Sequence, residues 1–442
     1  MIRFLHVLAG LSIALAAARA EPLRLTLEDC LRLGEERSVA LASAQRERLI
    51  AEEDIRRIRA QVHPSLDASG SYTRLGEDIA YFGLEGANAS RNQYRAALNA
   101  EQLLYSGGSV RAALRAAESY RIRADEEINR TIAALRRDIT KAFYTALYHE
   151  AAVDVGQASV AQLEEVEREA RMKFESGVLS ELEWLSAQVR LANERPVLIA
   201  AKNERDNARS ALRNLLYLDD DAWALDDAGE ALEEDARPIP AEALSALQEL
   251  GRANRWELRQ AEVFLDILEA DIRVTTGEFL PEVKAFASYA GADPSDYNPI
   301  EDEWDWQWVA GIRIQWKLFD GGARRAIRAE KQLKKEIAAD AITDLERGID
   351  VEIETAFRRM RQALQVLEGS RETIRLAEKA LAIARLRYDR GLGTNLEFTD
   401  RNLERNRAHL QHLAGRLAFQ HAVADLTYAC GVLETPEPRK LP

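Results

Sequence analysis

Cysteine and methionine are both rare in this chain. Two cysteines, Cys30 and Cys430, stand near opposite ends of 442 residues, and no Cys spacing of the metal-binding kind occurs. Three methionines, counting the initiator, argue against a methionine-lined copper path. Positive charge is outweighed: 74 acidic residues against 60 basic ones leave a net charge of −14, which argues against nucleic acid and its demand for a basic surface. That balance suits a cation-attracting cavity. Beyond the N-terminus no stretch approaches the roughly 18 apolar residues of a spanning helix. Any insertion into a membrane must therefore use β-strands.

Catalytic signatures are missing too. There is no G-x-S-x-G, no Walker A sequence and no G-x-G-x-x-G, and the two Gly-Gly pairs lack a phosphate-loop pattern. His409 and His412 share a helix face, but no cysteine completes a metal site, so they are expected to be surface histidines. No catalytic residue, metal ligand or cofactor site is assigned, and the chain is not expected to be an enzyme.

The first 20 residues have the form of a signal peptide: Arg3, an apolar run from Phe4 to Ala17, then Ala18-Arg19-Ala20 as the cleavage site. Glu21 follows where a lipoprotein has cysteine. The expectation is an exported, non-lipidated protein.

What remains is one unit written twice. QLLYSGGSVR at 102–111 recurs as WKLFDGGARR at 316–325, and KFESG at 173–177 recurs as RYDRG at 387–391, each displaced by 214 residues. Upstream, Pro64-Ser-Leu matches Pro281-Glu-Val and Gly34 matches Gly251, both displaced by 217. The expected repeats are 21–217 and 241–431, joined by a connector at 218–240 and followed by a tail at 432–442.

Each repeat reads helix, two strands, very long helix, turn, long helix. No proline interrupts Ser109 to Glu175, where Ile128, Ile132, Leu135, Ile139, Ala142 and Ala146 recur at helical spacing. Ile342, Leu345, Ile349, Ile353 and Ala356 repeat that stripe. A helix of this kind runs to roughly 100 Å at about 1.5 Å per residue, so it must pack against neighbours as a bundle or coiled-coil-like barrel. The expected long hairpins cover 109–216 and 323–431, with Pro196 expected to kink or break the first return helix.

The strand regions, about 65–105 and 282–319, alternate in polarity. Tyr94, Ala96, Leu98 and Ala100 alternate with Arg95, Ala97, Asn99 and Glu101; Ile312, Ile314, Trp316 and Leu318 alternate with Gly311, Arg313, Gln315 and Lys317. Leu66–Arg74 and Val283–Tyr289 are their partners. Polar loops at Ala80–Arg91 and Gly291–Glu303 connect them, and Trp304, Trp306 and Trp308 form an interfacial girdle. Four strands cannot close a barrel, and open edges are not tolerated in lipid, so strands that span a membrane must share one barrel with other chains.

These features together resemble the TolC family of outer-membrane factors: the duplication, Gly107-Gly108 and Gly321-Gly322 after each second strand, and two hairpin tips, GVLSELEWLS at 177–186 and GLGTNLEFTD at 391–400. The resemblance covers nearly the whole mature chain. It implies a mostly α fold with a membrane β-barrel portion: a homotrimer with a twelve-stranded barrel in outer-membrane lipid and a twelve-helix periplasmic α-barrel. A mixed equatorial region would come from Leu218–Pro240 and the chain ends. It further implies an exit duct for efflux or type I secretion, reaching an inner-membrane pump through a periplasmic adaptor. The alternative is a structural periplasmic coiled-coil protein without a pore, which leaves the alternating strands unexplained.

By the same resemblance Glu397 and Asp400, three apart and so on one helix face, stand with Glu183 at the tunnel constriction. The family's latching base two residues after the tip glycine is replaced by Gly393, leaving Arg390 or Arg401 with Glu183 as a possible tie. The adaptor would dock on Ser176, Gly177, Val178 and Leu179 in one tip and Leu392, Gly393 and Thr394 in the other. Cys30 opens the first helix and Cys430 closes the last, so they form either a disulfide or two buried free thiols.

Overall fold

The computed structural model describes residues 23–76, 91–219, 223–226, 243–293, 304–390 and 392–433. The signal segment, most of both strand-connecting loops and of the connector, Gly391 and the tail from 434 lie outside them. The elements fall into two matching series. The first is β1 (Leu23–Leu25), α1 (Leu27–Arg37), α2 (Val39–Ala60), β2 (Ser65–Arg74), β3 (Asn92–Ser106), α3 (Ser109–Glu175) and α4 (Glu181–Leu215). The second is β4 (Trp223–Leu225), α5 (Ala243–Asn254), α6 (Trp256–Gly277), β5 (Glu282–Asp293), β6 (Asp305–Gln315), α7 (Ala323–Asp389) and α8 (Asn395–Ala429). α3 and α7 each have 67 residues, α4 and α8 each have 35, and α2 and α6 each have 22. The helical part of the repeat is copied without insertion.

The opening helix of each repeat is two helices, a break the sequence pattern does not announce. Ser38 and Arg255 take extended backbone at the junctions, with ψ of 117° and 124°, and both are buried. Ser38 caps α2 by accepting from the Leu41 N–H at 3.2 Å. Arg255 has no side-chain cap and instead spans Glu257, Glu352 and the Ala429 carbonyl.

The chain packs as two units. In the first (Met1–Arg37, Ile139–Ala236, Leu367–Ala418), β1 pairs in parallel with β4, and α1 approaches α3 through Gly34. A Cβ at Gly34 would stand 2.2 Å from Ile139 Cδ1. In the second (Ser38–Asp138, Arg237–Val366, Phe419–Pro442), Gly251 of α5 meets Ile353 of α7 with the same 2.2 Å shortfall. Around it Leu247, Ile349, Phe357, Met360 and Leu426 form a core, with Ile342 and Leu345 at its margin. The predicted stripes are present. Ile139, Ala146, Ile349 and Ile353 are fully buried, whereas Ile128, Ile132, Leu135 and Ala142 are half-buried in the single chain.

The second unit also carries a four-stranded antiparallel sheet in the order β2-β3-β5-β6. β6 ends at Gln315, short of the predicted 319, because its partner β5 begins at Glu282, opposite Gln315 and directly after Pro281. Both edge strands are exposed along their length. Trp306 stacks on Trp304 and Tyr289 at 5.4 and 5.1 Å between ring centroids, over a gap left by Gly291. Each strand-to-helix turn uses two left-handed glycines: φ is 63° and 85° at Gly107 and Gly108, and 68° and 92° at Gly321 and Gly322. Gly107 lies against Gly277 at the end of α6, whereas its counterpart Gly321 faces open space.

Two expectations are corrected. α4 continues through Pro196 as one helix, with Leu191 and Leu198 on either side packed against Val160 and Leu163 of α3, and that packing offsets the lost N–H. Cys30 and Cys430 are free. Each is buried in its own unit, and burial pushes each thiol up to about 12, so both stay protonated.

Gly251→Val and Gly34→Val are each expected to destabilise the fold by about 1–3 kcal/mol through overpacking. Urea or thermal melts check this. Trimming the opposing isoleucine, as in Ile353→Ala beside Gly251→Val, should recover part of the loss.

Candidate functional site

Both predicted tips, and the helix ends that carry them, belong to the first unit. At the first tip α3 stops at Glu175 and Gly177 turns the chain with φ of 77°. The Val178 and Leu179 N–H groups both donate to the Lys173 carbonyl, at 2.8 and 3.1 Å. Ser180 and Glu183 then form a capping box: the Ser180 N–H donates to Glu183 Oε2 at 3.1 Å, and the Glu183 N–H donates to Ser180 Oγ at 3.3 Å. The Glu183 carboxylate is therefore committed to starting α4. It makes no bond to Arg390 or Arg401, and Arg401 pairs with Glu404 at 2.6 Å.

At the second tip Thr394 Oγ1 accepts from the Glu397 N–H at 3.1 Å. Arg387 holds the turn together, donating to Glu397 Oε1 at 3.2 Å and to the Leu392 carbonyl at 3.4 Å. Gly393 lies so close to Arg387 that an added Cβ would be 3.2 Å from the Arg387 Cβ. Val178 and Leu392 are 76% and 70% exposed, so each tip presents an apolar side chain to solvent beside its turn.

The two hairpins are also tied to each other. Arg190 of α4 bonds the Asp400 carboxylate of α8, and Gln162 of α3 bonds Asn402. Lys173 Nζ donates to the Tyr388 hydroxyl at 3.0 Å, and that hydroxyl donates to Glu169 at 3.4 Å. The bond to Tyr388 raises the Lys173 pKa above its ordinary value, against a smaller opposing effect of burial. Equivalent aromatic pairs brace each hairpin: Phe174 stacks on Trp184 at 5.0 Å and Tyr388 on Phe398 at 5.7 Å.

Glu397 and Asp400 thus share a helix face, as expected, but serve different partners, one within its own hairpin and one across to the other. Arg190, Arg387, Lys173 and Tyr388 are absent from the sequence-derived site. Lys173 and Arg387 head the repeated KFESG and RYDRG segments, a signal that marked the turns and not the ties. The histidines are not plain surface groups: both are half-buried, His412 Nδ1 lies 2.8 Å from Ser370 Oγ, and His409 lies 3.4 Å from Glu378. Among the described residues no group of side chains is arranged to hold a metal ion.

A family model described as outer membrane efflux protein matches the chain twice, over residues 31–216 and 247–432. The antibiotic efflux pump outer membrane protein ArpC of Pseudomonas putida is 24% identical over 355 residues, spanning 78% of this chain and 70% of its own. The toluene efflux pump outer membrane protein TtgC of another Pseudomonas putida strain matches to the same extent. The crystal structure of the open state of the Neisseria gonorrhoeae MtrE outer membrane channel superposes with a TM-score of 0.73 at 19% identity, covering 92% of this chain and 89% of that one.

Arg190→Ala and Asp400→Asn are each expected to speed amide exchange around 176–180 and 392–396. A double-mutant cycle on tip stability should couple the pair by about 0.2–1 kcal/mol, the range for half-exposed ion pairs. His412 gives a pH signature. Burial first, then Arg416 and Arg371, hold its pKa below 6.5, so the folded state prefers the neutral ring. Its contribution is complete above pH 6.5 and is lost as pH falls through the lowered value. Melts between pH 7 and 5 should show that loss, and His412→Gln should flatten it.

Proposed function

The chain belongs to the outer membrane efflux protein family and is an outer-membrane efflux channel, and from that premise we propose that three copies assemble into one passive exit duct. The observation that carries this reading is the pairing pattern of the sheet. β3, the second strand of repeat one, pairs with β5, the first strand of repeat two. By the duplication, β6 should pair in the same way with β2 of the next copy, which satisfies both open edges. The strand-to-helix turns support the same closure. Gly107 is covered by the end of α6, so the uncovered Gly321 calls for the equivalent end of α2 from a neighbour. Three copies give a twelve-stranded barrel whose lipid-facing band includes the exposed Ile312, Ile314 and Trp308, continued below by twelve helices.

The tips are the gated end. Glu397 and Asp400 of three copies form rings of carboxylate that favour cations. The Arg190–Asp400 and Lys173–Tyr388–Glu169 ties hold the two hairpins of each copy together and so keep the passage narrow. Ser176 to Leu179 and Leu392 to Thr394, with their exposed Val178 and Leu392, receive the hairpin of a periplasmic adaptor. That adaptor links the duct to an inner-membrane pump, the source of energy. The two Pseudomonas relatives, equally distant from this chain, are described for an antibiotic and for toluene. This fits a duct whose cargo is chosen by the pump.

Purified protein in a planar bilayer should give small cation-selective openings. Glu397→Gln with Asp400→Asn should enlarge them and reduce the selectivity. Openings indifferent to the substitutions would move the constriction elsewhere. Folded protein that never conducts would sink the duct.

A further inference from the structure

At the junction of sheet and helices, within the second unit, α3, α6 and α7 enclose an open groove of about 850 Å³. Three helical stripes face into it. Arg111 and Arg115, one turn apart, come from the start of α3, and Arg328 and Lys335 come from the start of α7. Between them α6 supplies Glu269, Arg273 and, at the strand end, Leu280. Counting Glu336, five cationic side chains meet two carboxylates, in a chain where acids outnumber bases 74 to 60.

The pairing inside the groove sharpens the imbalance. Glu269 is already neutralised by Arg273 at 2.5 Å and Lys335 at 3.1 Å. Among the described residues Arg111, Arg115 and Arg328 have no carboxylate partner, and all three line the open volume. The α3 N-terminus opens onto the same space: Gly107 and Gly108 line it, and the first N–H groups of the helix have no carbonyl within the helix to receive them. Guanidinium groups presented as a set, beside a helix N-terminus, match the planar oxygen pairs of a phosphate. The lip is apolar: Leu280 is about half-exposed, and the nearby end of the sheet exposes Leu318 and Phe319 at 75% and 87%.

We propose that this groove binds a phosphate-bearing anion through Arg111, Arg115 and Arg328. A phospholipid headgroup of the adjoining leaflet and a soluble phosphate compound share that chemistry. The inference rests on the barrel reading only for bringing lipid to the groove.

The test uses the full-length protein in neutral detergent, titrated calorimetrically with short-chain dihexanoylphosphatidylglycerol, its phosphatidylcholine counterpart and inorganic pyrophosphate. Saturable binding of the glycerol lipid is expected, weakened at least about tenfold in Arg111→Gln/Arg115→Gln/Arg328→Gln, since each lost charge-assisted bond removes about a factor of ten or more. Phosphatidylcholine should bind far more weakly. Pyrophosphate binding with equal strength and equal loss in the variant would assign the site to soluble phosphates. If neither anion binds saturably, or if the variant binds as well as the parent, the proposal fails. Circular dichroism and bilayer conductance of the variant control for its folding. Because they do not depend on the groove, a failed titration with intact conductance overturns this site and leaves the duct standing.

Discussion

An extended strand in hydrocarbon has nowhere to direct an unpaired N–H or C=O except another strand, and much of this molecule follows from that constraint. Four strands leave two edges, β2 and β6, and nothing among the described residues pairs with either. The repeat supplies the answer internally, because the β3–β5 ladder is already a junction between the end of one unit and the start of the next. Stacking more copies of the same junction closes a ring without any new kind of contact. The half-buried Ile128, Ile132 and Leu135 fit this picture: in one chain their stripe is only partly covered.

The helices solve a different problem with the same economy. Each short helix, α1 or α5, meets its long neighbour through a glycine that admits an isoleucine, and the two contacts are alike. Each return helix is braced near its tip by stacked aromatic rings at equivalent positions. The ties between hairpins are of another kind, made of half-exposed ions and a tyrosine hydroxyl. Such bonds exchange readily with water, whereas buried isoleucine does not. The molecule thus joins its moving parts with polar contacts and its fixed parts with apolar ones.

Much of this was legible in the sequence, for identifiable reasons. The long helices end where glycine and an N-capping Ser180 or Thr394 force them to, so their limits could be read locally. The duplication was visible because the motifs recur at one displacement. The breaks at Ser38 and Arg255 were hidden, since Arg255 is not a capping residue and is held by partners nearly a hundred or more residues away. The limit of β6 depended on where its partner begins. The Arg190–Asp400 tie joins residues 210 apart, and no local pattern distinguishes that arginine from the many others on the same helices. The bridge considered for Cys30 and Cys430 had only their positions near the chain ends behind it, and each thiol has instead gone into a separate apolar core.

The two repeats are displaced by 217 residues before the strands and by 214 after them, so their whole difference in length falls between Pro64 and Gly107 in one copy and Pro281 and Gly321 in the other. Everything from the Gly-Gly turn to the end of the return helix is matched residue for residue. Length is therefore under two regimes in one polypeptide. An insertion in either hairpin loop alters only the part that faces outward, where phage and antibodies exert their selection. An insertion in one long helix would shift its tip relative to the other unless the second repeat changed with it. Evolution can vary what this protein shows to the outside one residue at a time, but it can change how far the protein reaches inward only by editing both halves of the gene together.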